Sequence, residues 1–387
     1  MALKCATIFT CELDEPEVAL AELKQQLDEK LTLKANTVGV IQCHPEFVLS
    51  GIVEYIAKEL PFEIAGTTTA SQATNDVVSE LVLTIFVMTA DDVSFYVGKT
   101  DCLQESIAPY IESALDGVDR AAKLALVFPP LLIQYPGDSH VEAWAEALPG
   151  VPVYGTLAIS DALDFSNSTC IYNEESLDSS TTFILCYGNI NPRFLIATLP
   201  DNTALPYTGE ITKADGVLVH EIDGGNALEY MRTMGFVNDD ETLSVYWFVP
   251  FSIHQKTRED FDGVPVLRGF YMPNEDGSGI FRGKVDQGST FTMLNMTDEA
   301  TMIESTEKIG DITRLDNVNG ALVYSCIVRR MVLMNADSVQ ELAMARNTLG
   351  DIPFMMAYAG GEICPTSIKA AGATNRFHNF TMVILVL

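Results

Sequence analysis

The chain has 387 residues, 48% hydrophobic and 20% charged, which marks it as folded and, at ~150 residues per domain, as two or three domains. Its net charge of −30 repels phosphate backbones, which argues against a nucleic-acid partner and otherwise serves solubility. Its eight cysteines form no C-x-x-C pair, no secretory leader pattern opens the sequence, and no apolar run nears the ~20 residues of a membrane helix. Free thiols, a cytoplasmic setting and no membrane insertion are the expectation.

In chain order, residues 14–31 read as an amphipathic helix. Val38 opens an apolar strand, VGVIQC, followed by a helix led by Pro45. Next come LPFEIAGTTTASQ, where an apolar-Pro-apolar step precedes a glycine, and the β-rich run LVLTIFVMT. A helix is predicted near 101–118. The same order then returns as LALVF at Leu124, a helix opened by the capping box Ser139-His-Val-Glu142, VPVYGTLAISD and TTFILCYG. A hairpin is predicted at RFLIATLP, and residues 200–215 read as a loop dividing two halves, 1–208 and 209–387. A third copy starts with GVLVHEI at Gly216 and a helix opened by Asn226, with Glu229 three residues on. It gains an inserted strand, ETLSVYWFVPFSI, before VPVLRGFYMPNEDG and STFTMLNM. The fourth has GALVYSC at Gly320, a helix opened by the box Ser338-Val-Gln-Glu341, IPFMMAYAGGEICP and FTMVILVL. Each proline follows a helix end, so it marks where a strand begins. The expected fold class is α/β, with mixed sheets built from four repeated β-α-β-β units in two pseudo-similar halves. Sheet order stays open: two sheets packed with helices outside, or one mixed sheet per half.

Ligands of α/β units gather beyond the carboxyl ends of strands. In the last unit those ends offer Cys326, then Arg329 and Arg330, Glu362 after Gly360 and Gly361, and His378 with Asn379. Each has a plainer role available. Cys326 reads equally as a small core residue, Arg329 as a surface charge, and the glycine pair as a turn. The five histidines lie far apart with no H-x-H or H-E-x-x-H, so no metal site is expected. No GxGxxG, P-loop or GxSxG is present, and no cofactor is expected.

The segments ITKADGVLVHEIDGGNALEYM, VLRGFYMPNEDG, GALVYSCIVRR and IPFMMAYAGGEI…NRFHNFTMVIL together resemble the FIST C domain. LPFEIAGTTTASQ through VYGTLAISDALDF resembles the FIST N domain. The resemblance implies a FIST N-like domain over 1–208, a FIST C-like domain over 209–387, and a sensor of small ligands in signal transduction, with amino acids as candidates. It implies ligand-binding matches at Thr212 and Lys213, Arg268, Cys326, Arg329, Gly361, Glu362, His378 and Asn379. The first half departs from the family pattern: Ser71-Gln72 stand where that pattern has Gly-Glu. In this reading Glu362 takes a ligand's ammonium and Arg329 or Arg268 its carboxylate. A separate signalling protein, such as a histidine kinase, would carry the output. The other reading is an enzyme with Cys326 as nucleophile and His378 as base, for which no third orienting residue is visible.

Overall fold

The computed structural model describes residues 3–101, 107–131, 136–160, 166–238, 240, 242–244, 249–258, 262–333, 339–369 and 372–387. The first unit runs β1 (Lys4–Thr10), α1 (Pro16–Lys30), β2 (Asn36–Cys43), α2 (Pro45–Leu49), α3 (Ile52–Glu59), β3 (Glu63–Thr68), β4 (Gln72–Thr74), β5 (Val78–Ser79) and β6 (Leu83–Ala90). Strands β2 and β3 are parallel across the α2–α3 connection; β6 returns antiparallel on the far side of β2, with β1 outside it. Pro45 takes the first helical position of α2, where no N–H is needed, and the ring of His44 accepts from the Glu46 N–H.

The second unit is β7 (Val93–Asp101), α4 (Ala108–Ala114), β8 (Leu124–Phe128), α5 (Gly137–Ala147), β9 (Val153–Thr156), β10 (Cys170–Tyr172), β11 (Glu175–Leu177) and β12 (Ser180–Gly188). It repeats the pattern: β8 is parallel to β9, β12 antiparallel to β8, and β7 lies outside β12. Ser139 does not cap α5. The helix begins two residues earlier, so Ser139 is already inside its first turn, with its N–H on the Pro136 carbonyl. Strand β13 (Arg193–Ala197), expected as half of a local hairpin, pairs instead with the C-terminal strand.

The next stretch departs from the expectation. Residues 200–215 are not a loop: β14 (Ala204–Asp215) is a twelve-residue strand. It joins β15 (Leu218–Ile222), β16 (Gly225–Asn226), β17 (Phe251–His254), β18 (Val266–Arg268), β19 (Phe270–Pro273), β20 (Gly279–Phe281) and β21 (Thr290–Leu294) in one sheet whose described strands pair antiparallel. Asp215 pairs with Leu218 across Gly216, at φ +60, and Val217; glycine first in a two-residue loop builds the hairpin here. The helix α6 (Ala227–Thr233), capped by Asn226 as expected, has seven residues and joins no parallel pair. The predicted third copy is therefore no β-α-β-β unit. Part of its predicted inserted strand, 245–248, lies outside the described residues.

The last unit has α7 (Asp298–Ile312), β22 (Ala321–Cys326), α8 (Ile327–Leu333), α9 (Gln340–Leu349), β23 (Phe354–Ala359), β24 (Glu362–Lys369), β25 (Gly372–His378) and β26 (Met382–Val386). Again β22 is parallel to β23 and β26 antiparallel to β22, with β13 outside. Ser338, the expected cap of α9, lies outside the described residues.

The β-α-β-β unit thus occurs three times, and the copies exchange parts. Hairpin β10–β11 of the second unit extends the first unit's sheet beside β3. Hairpin β24–β25 of the last extends the second's beside β9, and β4–β5 of the first extends the last's beside β23. The inner faces of the three sheets share one core, including Val40 and Phe86, Leu126 and Ile184, and Tyr324 and Val383. Each outer face buries its own helices: α1 to α3, then α4 and α5, then α7 and α9. Two tyrosines tie the centre together. The rings of Tyr154 and Tyr324 stack at 5.5 Å, Tyr154 donates to the Leu322 carbonyl, and Gln42 donates to the Tyr324 hydroxyl.

Candidate functional site

Three turns follow the parallel strands β3, β9 and β23, and they bond to one another. Ala70 N–H donates to the Tyr358 carbonyl, Ile159 N–H to the Thr68 carbonyl, and Leu157 N–H to the Gly361 carbonyl. Gly361, at φ +121, makes the last crossing possible: a Cβ there would lie 2.5 Å from the Phe377 ring. Its carbonyl also accepts from Thr156 Oγ1 at 2.8 Å. The glycine pair is thus occupied by chain crossing.

Beside this junction a cleft of about 70 Å³ opens between the second unit, the last unit and the antiparallel sheet. Roughly 10–15 Å³ suffices for one water, so it has room for more than one. Leu131, Ile159, Phe270 and Phe380 wall it; Cys326, Asn379, Arg282 and Tyr271 are its polar side chains. Asn379 Oδ1 is buried and has no hydrogen-bond partner. Arg282 stacks on Tyr271 with its guanidinium carbon 3.5 Å from the ring centroid. Burial lowers its pKa, against Tyr271 and Cys326. Phe380 sits at φ 59, a costly backbone for a bulky residue, and such strain clusters at functional sites.

Cys326 and Glu362 form the cleft's floor and what lies beneath it. Burial first, then the neighbouring Glu362 carboxyl, pushes the Cys326 thiol up, so it is no activated nucleophile. Burial also pushes the Glu362 carboxyl well above its ordinary range, against Thr381, Arg329 and the Cys326 thiol, which favour the carboxylate. Glu362 Oε2 accepts from Thr381 Oγ1 at 2.8 Å; Oε1 has no partner. Glu362 lines the cleft nowhere.

The other expected residues lie apart. Arg329 is fully buried and pairs with Glu341, Nη2 to Oε1 at 2.8 Å and Nε at 3.2 Å. It also donates to the carbonyls of Phe380 and Thr301. Arg268, fully buried too, pairs with Asp138 at 2.8 Å and donates to the Phe377 and Lys284 carbonyls. Both guanidiniums fasten protein to protein. His378 Nε2–H donates to the Cys364 carbonyl at 3.0 Å, and burial lowers its pKa to about 4, so it is neutral and turned to the backbone. His378 is thus committed to Cys364 rather than to Cys326. Lys213 is exposed on β14, outside the cleft lining. Of the expected set, Cys326 and Asn379 meet at the cleft, with Gly361 and Glu362 just behind.

Sequence reasoning missed Arg282. Its signal was the turn NEDGSG: Phe270 pairs with Phe281 across that hairpin, which brings Tyr271 and Arg282 side by side. Among the described residues no cluster of three His, Cys, Asp or Glu could hold a metal.

Family models match twice: the FIST N domain over residues 37–225 and the FIST C domain over residues 227–365. The chain belongs to the FIST family. FIST domains are small-ligand sensory domains of signalling proteins. Among curated proteins none matches the sequence. A crystal structure of cyanuric acid hydrolase from A. caulinodans is similar along 99% of each chain, at 9% identity and a TM-score of 0.34. At that level the likeness carries no argument. In this FIST protein no described helix is long and apolar enough to cross a membrane.

Proposed function

We propose that this FIST protein is a sensor whose small ligand sits in the cleft beside Cys326, Asn379 and Arg282. The observation that carries the reading is Asn379, a lining residue whose Oδ1 is a buried acceptor without a partner, in the wall of a mostly apolar space that also holds a guanidinium. Buried polar groups are nearly always bonded, and a small pocket with a few convergent polar groups is the usual form of a ligand site. A larger groove of about 640 Å³ beside α1 is a weaker candidate: it is open and lined by Glu12, Glu22, Glu29 and Asp76 around Lys30. Nothing there is an orphaned polar atom.

An amino-acid ligand held by Glu362 and Arg329 remains the reading that the family pattern suggests, but in this fold Arg329 is turned to Glu341, and Glu362, with Oε2 on Thr381 and Oε1 unpartnered, stands outside the cleft lining. The enzyme reading is disfavoured by the raised thiol of Cys326 and by the commitment of His378 to a carbonyl. A sensor of this kind would pass its state to a separate protein, a histidine kinase being one such class, in a cytoplasmic setting.

The test is a thermal-shift screen of small metabolites on the parent and on Met331→Trp, which places an indole in the cleft wall. A compound that raises the parent's melting temperature and leaves Met331→Trp unmoved supports the site. A compound that raises both equally places the ligand elsewhere, and turnover of the compound would make the chain an enzyme.

A further inference from the structure

We infer that the antiparallel sheet, residues 204–294, is a hinged cover over the cleft, latched to the second unit by Asp138 and Glu142 of α5. The inference rests on the cleft being the ligand site and concerns how a ligand enters it and which part of the molecule moves in response.

The chain passes into and out of the sheet at one place. It enters before Ala204 and leaves after Leu294, and the two crossings are bonded to each other, Asn295 N–H to the Thr203 carbonyl at 2.8 Å. Leu267 and Leu294 of the sheet pack on Leu199, Met296 and Ala300, beside those crossings in sequence. The rest of its apolar interior closes on itself: Ile211, Val219, Phe251, Phe270 and Phe291 belong, with residues of α6, to a core that takes no residue from the three units. A body with its own core and one paired crossing can turn as a whole about that crossing.

The contact of the sheet with α5 is ionic instead. Asp138 Oδ1 accepts from Arg268 Nη2 and Oδ2 from the Lys284 N–H, both at 2.8 Å. Gly283, at φ +111, permits the second approach, since a Cβ there would lie 2.8 Å from Asp138 Oδ2. One turn along the same helix face, Glu142 meets Lys284 Nζ and, at 3.6 Å, Arg258 Nη1. The hairpin β24–β25 adds two polar contacts, Arg268 Nη1 to the Phe377 carbonyl at 3.1 Å and Thr366 Oγ1 to Asp262 Oδ2 at 2.6 Å. When such contacts part, water solvates both partners, so opening costs less than baring an apolar face.

The latch runs straight into the cleft wall. Arg268 precedes Gly269, Phe270 and Tyr271, and Lys284 follows Arg282 and Gly283; Gly269, Phe270, Tyr271 and Arg282 are the sheet's share of the lining. The Arg282 N–H, on the Gly269 carbonyl at 2.8 Å, ties the two strands together. Release of Arg268 and Lys284 therefore draws this wall away from Cys326 and Ile327 on the other side. Shut, the cleft has only about 70 Å³, so a metabolite of ordinary size enters as the cover turns out, and the position of the sheet becomes the signal.

The probes are maleimide labelling of Cys326 and hydrogen exchange of the Lys284 amide, read on the full chain by mass spectrometry with peptide fragmentation. Cys326 is a buried lining residue, and the Lys284 N–H is bonded to Asp138 across the contact. The Val285 N–H, on the Gly216 carbonyl within the sheet, and Cys43, in the outer core of the first unit, are controls that respond only to unfolding. Asp138→Asn should speed both reporters at least about tenfold and leave both controls as in the parent. Glu142→Gln, at the exposed end of the latch, should speed both by a smaller factor, and it carries the test if Asp138→Asn does not fold. Lys284 and Val285 exchanging at one rate, or Cys326 labelled no faster in either variant, overturns the cover. A latch that opens as stated, with no screened compound slowing the labelling of Cys326, would keep the cover and remove the ligand site. A compound that raises the melting temperature of the parent and not of Met331→Trp, while the latch variants leave Cys326 labelling unchanged, would keep the site and remove the cover.

Discussion

Arg329 and Glu341 show how the environment decides what a charged residue does. Burial works against the Glu341 carboxylate, but Arg329 and the hydroxyls of Ser305 and Ser325 hold it below its ordinary range. Removing one partner leaves the other charge buried alone. Glu341→Leu should therefore cost about 3–5 kcal/mol in denaturant unfolding, and the double variant Glu341→Leu, Arg329→Met should recover most of it. Equal stability of Glu341→Leu and parent would show that the pair is not what joins α8 to α9. The histidines impose a pH dependence. His378 has a folded pKa of about 4 against an ordinary value near 6.5, and His140 is lowered likewise by burial to about 3. The unfolded chain takes up these protons first, so stability is full above pH 6.5 and falls as pH drops towards 4. Between pH 6.5 and 5 the loss from His378 is about 2 kcal/mol, and His378→Asn should remove that part of the slope. Glu362 acts in the opposite sense. Its folded pKa is raised, so the stability it contributes is present at low pH and lost as pH rises above its ordinary value of 4.5. Glu362→Gln, neutral throughout, should gain on the parent as pH rises above 4.5 in the same measurement; a constant difference would mean that Glu362 is ionised in the fold.

At the scale of elements, the parallel pairs β2–β3 and β8–β9 depend on one glycine each. A Cβ at Gly66 would lie 1.7 Å from the Ile41 carbonyl oxygen, and one at Gly155 1.8 Å from that of Val127. In each case the backbones themselves meet, so no side chain can move aside. Gly66→Ala should cost about 3 kcal/mol or more, because the strand must shift out of register with β2. A melting temperature equal to the parent's would show that the sheet yields there cheaply. In the last unit the equivalent place is held by Tyr358 opposite Ser325, and that junction already accommodates a side chain. The prolines were legible at this scale: Pro152 and Pro353 stand just before β9 and β23 and accept from Ala125 and Ala321 across the sheet. Capping boxes were less reliable. Asn226 caps α6, but Ser139 does not cap α5, since Pro136 opens that helix two residues early through its own carbonyl.

For the whole molecule, the exchange of hairpins should make the two halves interdependent. The sheet built on β8 lacks β24–β25 without the second half, and the sheet on β22 and β23 lacks β4–β5 without the first. Residues 1–208 or 209–387 expressed alone should be insoluble or molten, and their co-expression should restore a cooperative thermal transition. Two halves that each unfold cooperatively alone would contradict this. The sequence by itself determined the α/β class and the order of strand, helix and strand, which it reads in four units where three form, because hydrophobic period, proline position and helix caps act over a few residues. It also singled out Cys326 and Asn379 by their place at strand ends. What the tertiary structure alone decided was which partner each polar group meets. Nothing in the spacing of Arg329 and Glu341, or of Arg268 and Asp138, 130 residues apart, announces that these charges neutralise each other inside the protein. The same holds for Arg282, brought to the cleft by a hairpin register and by the packing of the antiparallel sheet against the second and last units. Pairing between distant segments is set by which buried surfaces fit and which buried charges find an opposite, and neither is a property of neighbouring residues.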